Sequence, residues 1–326
     1  MEHEALLYSL DHTITKKQLQ EKESVIYDKQ KYTKLQERSQ EYNIQSRIVS
    51  QDHNFSFIKP CPYILYYVWD ISLLDKKILA IVGPRKMSIY WEKVIEKLFY
   101  YAGKYDVVTI SGMAEWVDQL CHNYSMENNI PTIAVLGGGI GRYIRRQEKK
   151  IIDRIVAAGG LVISEYRLFQ QPTNYSFPQR NRIIAGLSDM LFLPEAGKKS
   201  WSLITVNFAL DMNIPVYATP SSIFSPTSEW ILHLIETGHV KPVVDLKYFL
   251  HQHFSSQNII SRNIPTIAVT DEEKWLLSVL SHDQWISLQQ IVMQSWMNID
   301  KSIQILTMLE IKSMVAQNSP GEYILL

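Results

Sequence analysis

Ile78-Leu79-Ala80-Ile81-Val82-Gly83-Pro84-Arg85 is a short unbroken apolar run that stops at a glycine, a proline and a cation. A run of this length without polar alternation is the pattern of a strand covered on both faces. Glycine at its end lets backbone approach backbone, or a ligand, closely. The same pattern recurs along the chain. Val107 to Ala114 ends in Ser111-Gly112, and Thr132 to Gly139 ends in Gly137-Gly138-Gly139. Leu161 to Tyr166, Met190 to Ala196 and Val216 to Pro220 are three further runs. Segments of helical period, such as Tyr90 to Tyr101 and Gln147 to Ala158, lie between them. Apolar strands alternating with helices predict a doubly wound, mostly parallel α/β sheet. Ligands of such sheets bind outside the carboxyl ends of the strands. Those ends carry Gly83, Arg85, Ser111, Gly112, Gly137, Gly138 and Gly139.

A second stretch, Phe177-Pro178-Gln179-Arg180-Asn181-Arg182-Ile183-Ile184-Ala185-Gly186-Leu187-Ser188, places an Arg-Asn-Arg triplet before an apolar helical run. Proline suits a first helical turn, and a helix start favours anions. Arg180, Asn181 and Arg182 are therefore candidate phosphate ligands, because the guanidinium is a planar fork of donors. The competing reading is a pair of arginines bridging to carboxylates. Arg85 is a phosphate clamp or, alternatively, a salt-bridge partner. The three glycines are a backbone cradle for phosphate or a tight turn. Ser200, Ser202 and Thr205 bond phosphate, cap a helix, or do both. Asp118 and His122 lie four apart on one helix face, which favours a local hydrogen bond over a catalytic dyad. Glu195 has no base to activate and is expected to organise nearby N–H groups.

The 326 residues, 46% hydrophobic and 20% charged, suit more than one globular domain. No apolar stretch reaches the length needed to span a bilayer, and the acidic start lacks a secretory pattern, so a cytoplasmic protein is expected. Cys61 and Cys121 form neither a disulfide framework nor a metal motif, and the nine histidines are scattered. No metal or cofactor is expected. The net charge of zero hides a distribution: −2 over residues 1–75, +5 over 76–255 and −3 over 256–326. The positive excess falls on the expected sheet domain and permits an anionic ligand. Residues 1–55 are polar and read as a short, degenerate helical region, and 56–255 as the Rossmann-like domain. Phe57 to Leu74 is its lead-in, with Tyr63, Tyr66, Tyr67 and Trp69 expected in packing rather than in base stacking. A linker over 256–264 precedes 265–326, whose three short helical patterns and closing strand read as a small winged helix. Its third helix is nearly free of positive charge, which disfavours DNA contact there.

Taken in order, these motifs resemble the DNA-processing protein A family (DprA, also called Smf). The Gly83-Pro84-Arg85 turn, Ser111-Gly112-Met113-Ala114 with Asp118, Phe177 to Ser188, and Glu195-Ala196 followed by Ser200 to Thr205 carry the resemblance. It implies a Rossmann-like protein that binds single-stranded DNA, protects incoming strands during natural transformation and helps load the RecA recombinase. It further implies a homodimer that catalyses nothing. The chain departs from the family pattern at Trp116, Trp201, Ser221, Trp230 and Leu232, and at Arg142-Tyr143-Ile144-Arg145-Arg146. Bulky residues at turns are expected to narrow the pocket, and the additional arginines to add phosphate contacts. The alternative is a phosphoribohydrolase acting on nucleoside monophosphates on a related lysine-decarboxylase-like fold. That enzyme would need a Pro-Gly-Gly-x-Gly-Thr turn, where this chain has Pro194-Glu195-Ala196-Gly197.

Overall fold

The computed structural model describes residues 28–50, 52, 55–84, 88–114, 117–197, 200, 202–225, 229–255, 270–280, 285–312, 314–318 and 321–325. Arg85, Trp116, Trp201, Lys198, Lys199 and the expected linker over 256–264 lie outside them. The chain divides into two compact units, Met1–Ile260 and Ser261–Leu326.

The first unit is built on a nine-stranded sheet. Its strands are β1 (Gln45–Ile48), β2 (Ile64–Val68), β3 (Ile78–Ile81), β4 (Val108–Ser111), β5 (Thr132–Val135), β6 (Leu161–Ser164), β7 (Met190–Phe192), β8 (Val216–Ala218) and β9 (Lys241–Pro242). They lie in the order β1-β2-β6-β5-β4-β3-β7-β8-β9. From β6 to β9 every neighbouring pair is parallel, whereas β2 runs against β6 and β1 against β2. The chain leaves β3 in one direction to build β4, β5 and β6, and returns to its other side for β7, β8 and β9. The switch point therefore lies between β3 and β7.

Burial explains the continuous apolar runs. Successive residues of a strand face opposite ways, and both faces are covered. Ile78, Ala80 and Val82 join one core with Val108, Ile110, Ile133 and Val135. Leu79 and Ile81 join another on the opposite face. The first core is closed by helices α6 (Ser176–Gly186), α7 (Ser202–Asp211) and α8 (Glu229–Glu236). The second is closed by α2 (Ile89–Ala102), α3 (Val117–Glu127) and α9 (Leu246–Phe254). Around β2, β5 and β6 that second face is covered by α1 (Lys29–Glu41), α4 (Ile140–Tyr143) and α5 (Lys149–Ala157).

Two expectations are corrected here. The polar stretch assigned to a helical N-terminal region contains α1, but it also contains β1, so the sheet begins before residue 56. The lead-in over 57–74 contains β2, a full antiparallel member of the sheet. Of its aromatic cluster, Tyr63 and Tyr66 are buried, while Trp69 is half-exposed.

The second unit orders α10 (Asp271–Val279), β10 (Ile286–Ser287), α11 (Leu288–Ser295), α12 (Ile299–Ile311), β11 (Val315–Asn318) and β12 (Glu322–Leu325). Its strands form a separate sheet in the order β10-β12-β11, over a core that includes Leu276, Ile291, Leu306 and Leu309. Capping boxes at Thr270/Glu273 and Ser287/Gln290 start its first two helices. Among the described residues no helix is long and apolar enough to cross a membrane, and no group of three or more His, Cys, Asp or Glu could hold a metal ion.

Candidate nucleic-acid interface

The topology brings the loops after β3, β4, β5 and β7 to one rim of the sheet. Ser111 is fully buried and donates from Oγ to the Ile81 carbonyl at 2.7 Å, fastening β4 to β3. The Gly112 carbonyl accepts from His122 Nε2 at 2.7 Å. A carbonyl can only accept, so the ring carries its proton on Nε2, and Nδ1 accepts from Thr132 Oγ1 at 2.8 Å. Burial holds the His122 ring below the ordinary histidine range. In place of the helix-side bond expected between Asp118 and His122, each bonds elsewhere: Asp118 Oδ2 accepts from the Ala114 amide at 3.1 Å and stiffens the same turn.

Arg180 lies on this turn. A Cβ on Gly112 would strike the Asp118 carboxylate and the Arg180 guanidinium together, so the glycine is what lets the two charges settle there. Arg180 is buried, donates from Nη1 to the Val135 carbonyl and donates from Nε to Asn181 Oδ1 at 3.1 Å. Burial pulls its pKa down and the Asp118 charge pulls it back up; an arginine stays ionised through such shifts. At 3% exposure and set against Asp118, Arg180 is thus held inside the wall of the rim, beside the β5 end, rather than presented to a phosphate as expected.

Arg182 departs from the expectation that it is a phosphate ligand. It is 2% exposed and bidentate to Glu165, at 2.5 and 2.7 Å, with further bonds to the carbonyls of Pro60 and Gln179. The salt-bridge reading is the one its geometry follows.

The triple glycine is a packing device. A Cβ on Gly137 would meet the Phe177 ring, one on Gly138 the Pro172 region, and one on Gly139 the carbonyl oxygens of Arg167 and Leu168. The Gly139 amide is already spent on the Gln170 carbonyl at 3.0 Å. Two of the three arginines after β5 are likewise engaged. Arg142 bonds Gln171 Oε1, and Arg145 sits over the Phe169 ring at 4.7 Å, with Arg38 over the same ring at 5.7 Å.

At the switch point, Gly83 packs against Val117 and Pro194. Glu195 is 1% exposed and accepts the Ser88 amide at 3.0 Å through Oε2, tying the β7 loop to the start of α2. Its organising role follows from that bond; its Oε1 has no hydrogen-bond partner among the described residues. Ser200 and Ser202 share a 2.6 Å hydroxyl bond at the start of α7, and Ser202 and Thr205 are buried.

Sequence reading missed two residues. Tyr175 is 84% exposed and Phe177 is 37% exposed, on either side of the first residue of α6. Exposed aromatic faces at this rim suit stacked bases. Their place just ahead of the Arg180-Asn181-Arg182 triplet was the available signal.

A family model described as DNA recombination-mediator protein A matches residues 46–253. Over 185 residues the chain is 36% identical to the DNA processing protein DprA of Streptococcus pneumoniae (strain ATCC BAA-255 / R6), covering 57% of this chain and 65% of that relative. It therefore spans just under two thirds of that relative's length. The X-ray structure of DprA from Streptococcus pneumoniae has a similar fold, with a TM-score of 0.60 at 27% identity, covering 78% of this chain and 94% of the other. A structure of DNA processing protein A from Helicobacter pylori, solved for its single-stranded DNA binding mode, gives a TM-score of 0.58 at 27% identity, covering 65% and 95%.

Proposed function

We propose that this chain, which belongs to the DNA recombination-mediator protein A family, binds single-stranded DNA at the carboxyl rim of its sheet and acts as a recombination mediator rather than an enzyme. The observation that carries this reading is the pair of aromatics, Tyr175 and Phe177, exposed on either side of the first residue of α6 at this rim. Stacking on Tyr175 and Phe177 accepts any base, and phosphate contacts place the strand without reading it. We assign Gly83, Ser111, Gly112, Gly137 to Gly139, Asn181, Arg182, Ser200, Ser202 and Thr205 to this site, together with Arg85, which lies outside the described residues. Several of them, Arg182 and Gly139 above all, serve it by holding its walls.

The finer parts of the proposal are protection of incoming strands in the cytoplasm during natural transformation, delivery to RecA, and a homodimer. Family membership supports the first two. The dimer is supported by Ile223, Phe224 and Val244, which are 77%, 88% and 90% exposed on segments leaving the carboxyl ends of neighbouring strands β8 and β9. The second unit, read as a winged helix, serves a protein contact.

Fluorescence anisotropy with labelled single- and double-stranded oligonucleotides across a salt series tests the core of this reading. Single strands bind more tightly, and their affinity falls as salt rises through counterion release. Tyr175→Ala costs about 1–3 kcal/mol of that binding and leaves the melting temperature unchanged. Preference for duplex, or affinity indifferent to salt, defeats the proposal.

A further inference from the structure

Along the β2 edge of the sheet, reaching the rim where the parallel strands begin, lies an open cleft of about 590 Å³. It is lined by the end of α1, the start of β1, the residues after β2 and one side of α5. Its floor is apolar: Val68, Ile144 and Ile152 are all buried. Its rim carries the carboxylates of Glu41, Asp70 and Asp153 against the single ammonium of Lys149, a balance of −2. That ammonium is already paired, at 2.5 Å, with Asp153 one helical turn on. The Ser72 amide holds the Asp70 carboxyl below the usual carboxylate range, so it is ionised at neutral pH.

Trp69 stands at the mouth, 52% exposed, with φ +87°. A positive φ is costly for so bulky a side chain. An indole face is the best aromatic platform for a cation.

We propose that this cleft receives an arginine- or lysine-bearing apolar segment of a partner protein, its apolar side chains on the Val68–Ile152 floor and a cation over Trp69. The charge balance selects this occupant. A nucleic acid would bring phosphates against three carboxylates. A bound metal ion is not what gathers these acids, since among the described residues no three acidic side chains converge on one point. Cations spaced along an extended segment match carboxylates spaced along a rim.

Anisotropy with fluorescein-labelled nine-residue peptides and the full chain tests this. The peptides alternate leucine with arginine, with serine or with glutamate. The arginine peptide binds at least ten-fold more tightly than the serine peptide, and the glutamate peptide does not bind. Trp69→Ala, and separately Glu41→Lys on an exposed helix end, each weaken the arginine peptide at least five-fold while single-stranded DNA affinity stays at wild-type level. Should Trp69→Ala fail to fold by thermal melt, Glu41→Lys decides alone. Equal binding of the arginine and serine peptides, no binding at all, or variants that bind as the wild type does would overturn the assignment.

Discussion

Arg180 and Arg182 are two positions apart and equally buried, each on its own set of partners. Arg182 closes a buried ion pair with Glu165 and bonds two carbonyls. Removing one partner of a buried pair strands the other charge, which costs about 3–5 kcal/mol. Arg182→Ala therefore unfolds at lower denaturant, and any loss of DNA affinity in that variant tracks loss of folded protein; urea titration monitored by circular dichroism reads this directly. Nothing local announces such a partner: Glu165 is 17 residues away and the Pro60 carbonyl 122 away. His122 supplies a pH dependence. In the folded chain, burial keeps its ring neutral below the ordinary value of 6.5. The unfolded chain takes up that proton near 6.5, so it binds more protons than the native state as the pH falls past this point. Stability thus rises with pH there: the contribution is complete above 6.5 and is lost on acidification. Melting temperatures taken from about pH 8 to about pH 5.5 decline less steeply in His122→Gln than in wild type.

Among the elements, the strands that ran legibly in the sequence are those whose two faces are both covered, because two buried faces turn alternation into an unbroken apolar run. β1, Gln-Ser-Arg-Ile at the sheet edge, has alternating exposure and no such run, so its residues passed for part of a helical region. The direction of β2 was equally unreadable, since period and composition are the same for a strand and its reverse. The glycines after β5 were legible as a special turn but not as to which kind, for the pieces they admit, Phe177 and the 167–170 loop, arrive from a later part of the chain. An alanine at 139 meets backbone oxygens that no rotamer change can clear. Gly139→Ala is accordingly expected to lose more than about 2 kcal/mol of stability, in the range of overpacked cores, and chemical denaturation measures it.

At the scale of the whole molecule, the contacts divide after Ile260, and the acidic balance of −3 over 256–326 sets the second unit apart electrically. Deleting residues 261–326 leaves single-strand affinity within about two-fold, provided size-exclusion chromatography shows the truncated chain monodisperse; a well-folded truncation that has lost its affinity would reassign the second unit to the DNA interface. The reversal of β2 has a consequence for how the sheet can change over time. Every parallel strand delivers its loop to one rim, and β2 alone among the neighbours of β6 delivers its loop to the other. Strands of four to five residues separate the rims by about 13–17 Å, beyond the reach at which substitutions usually interfere. One rim is free to drift, tighten or fall silent while the other keeps its task. Such freedom is measurable as independence: a chain carrying both Tyr175→Ala and Trp69→Ala has a stability within about 0.5 kcal/mol of Trp69→Ala alone.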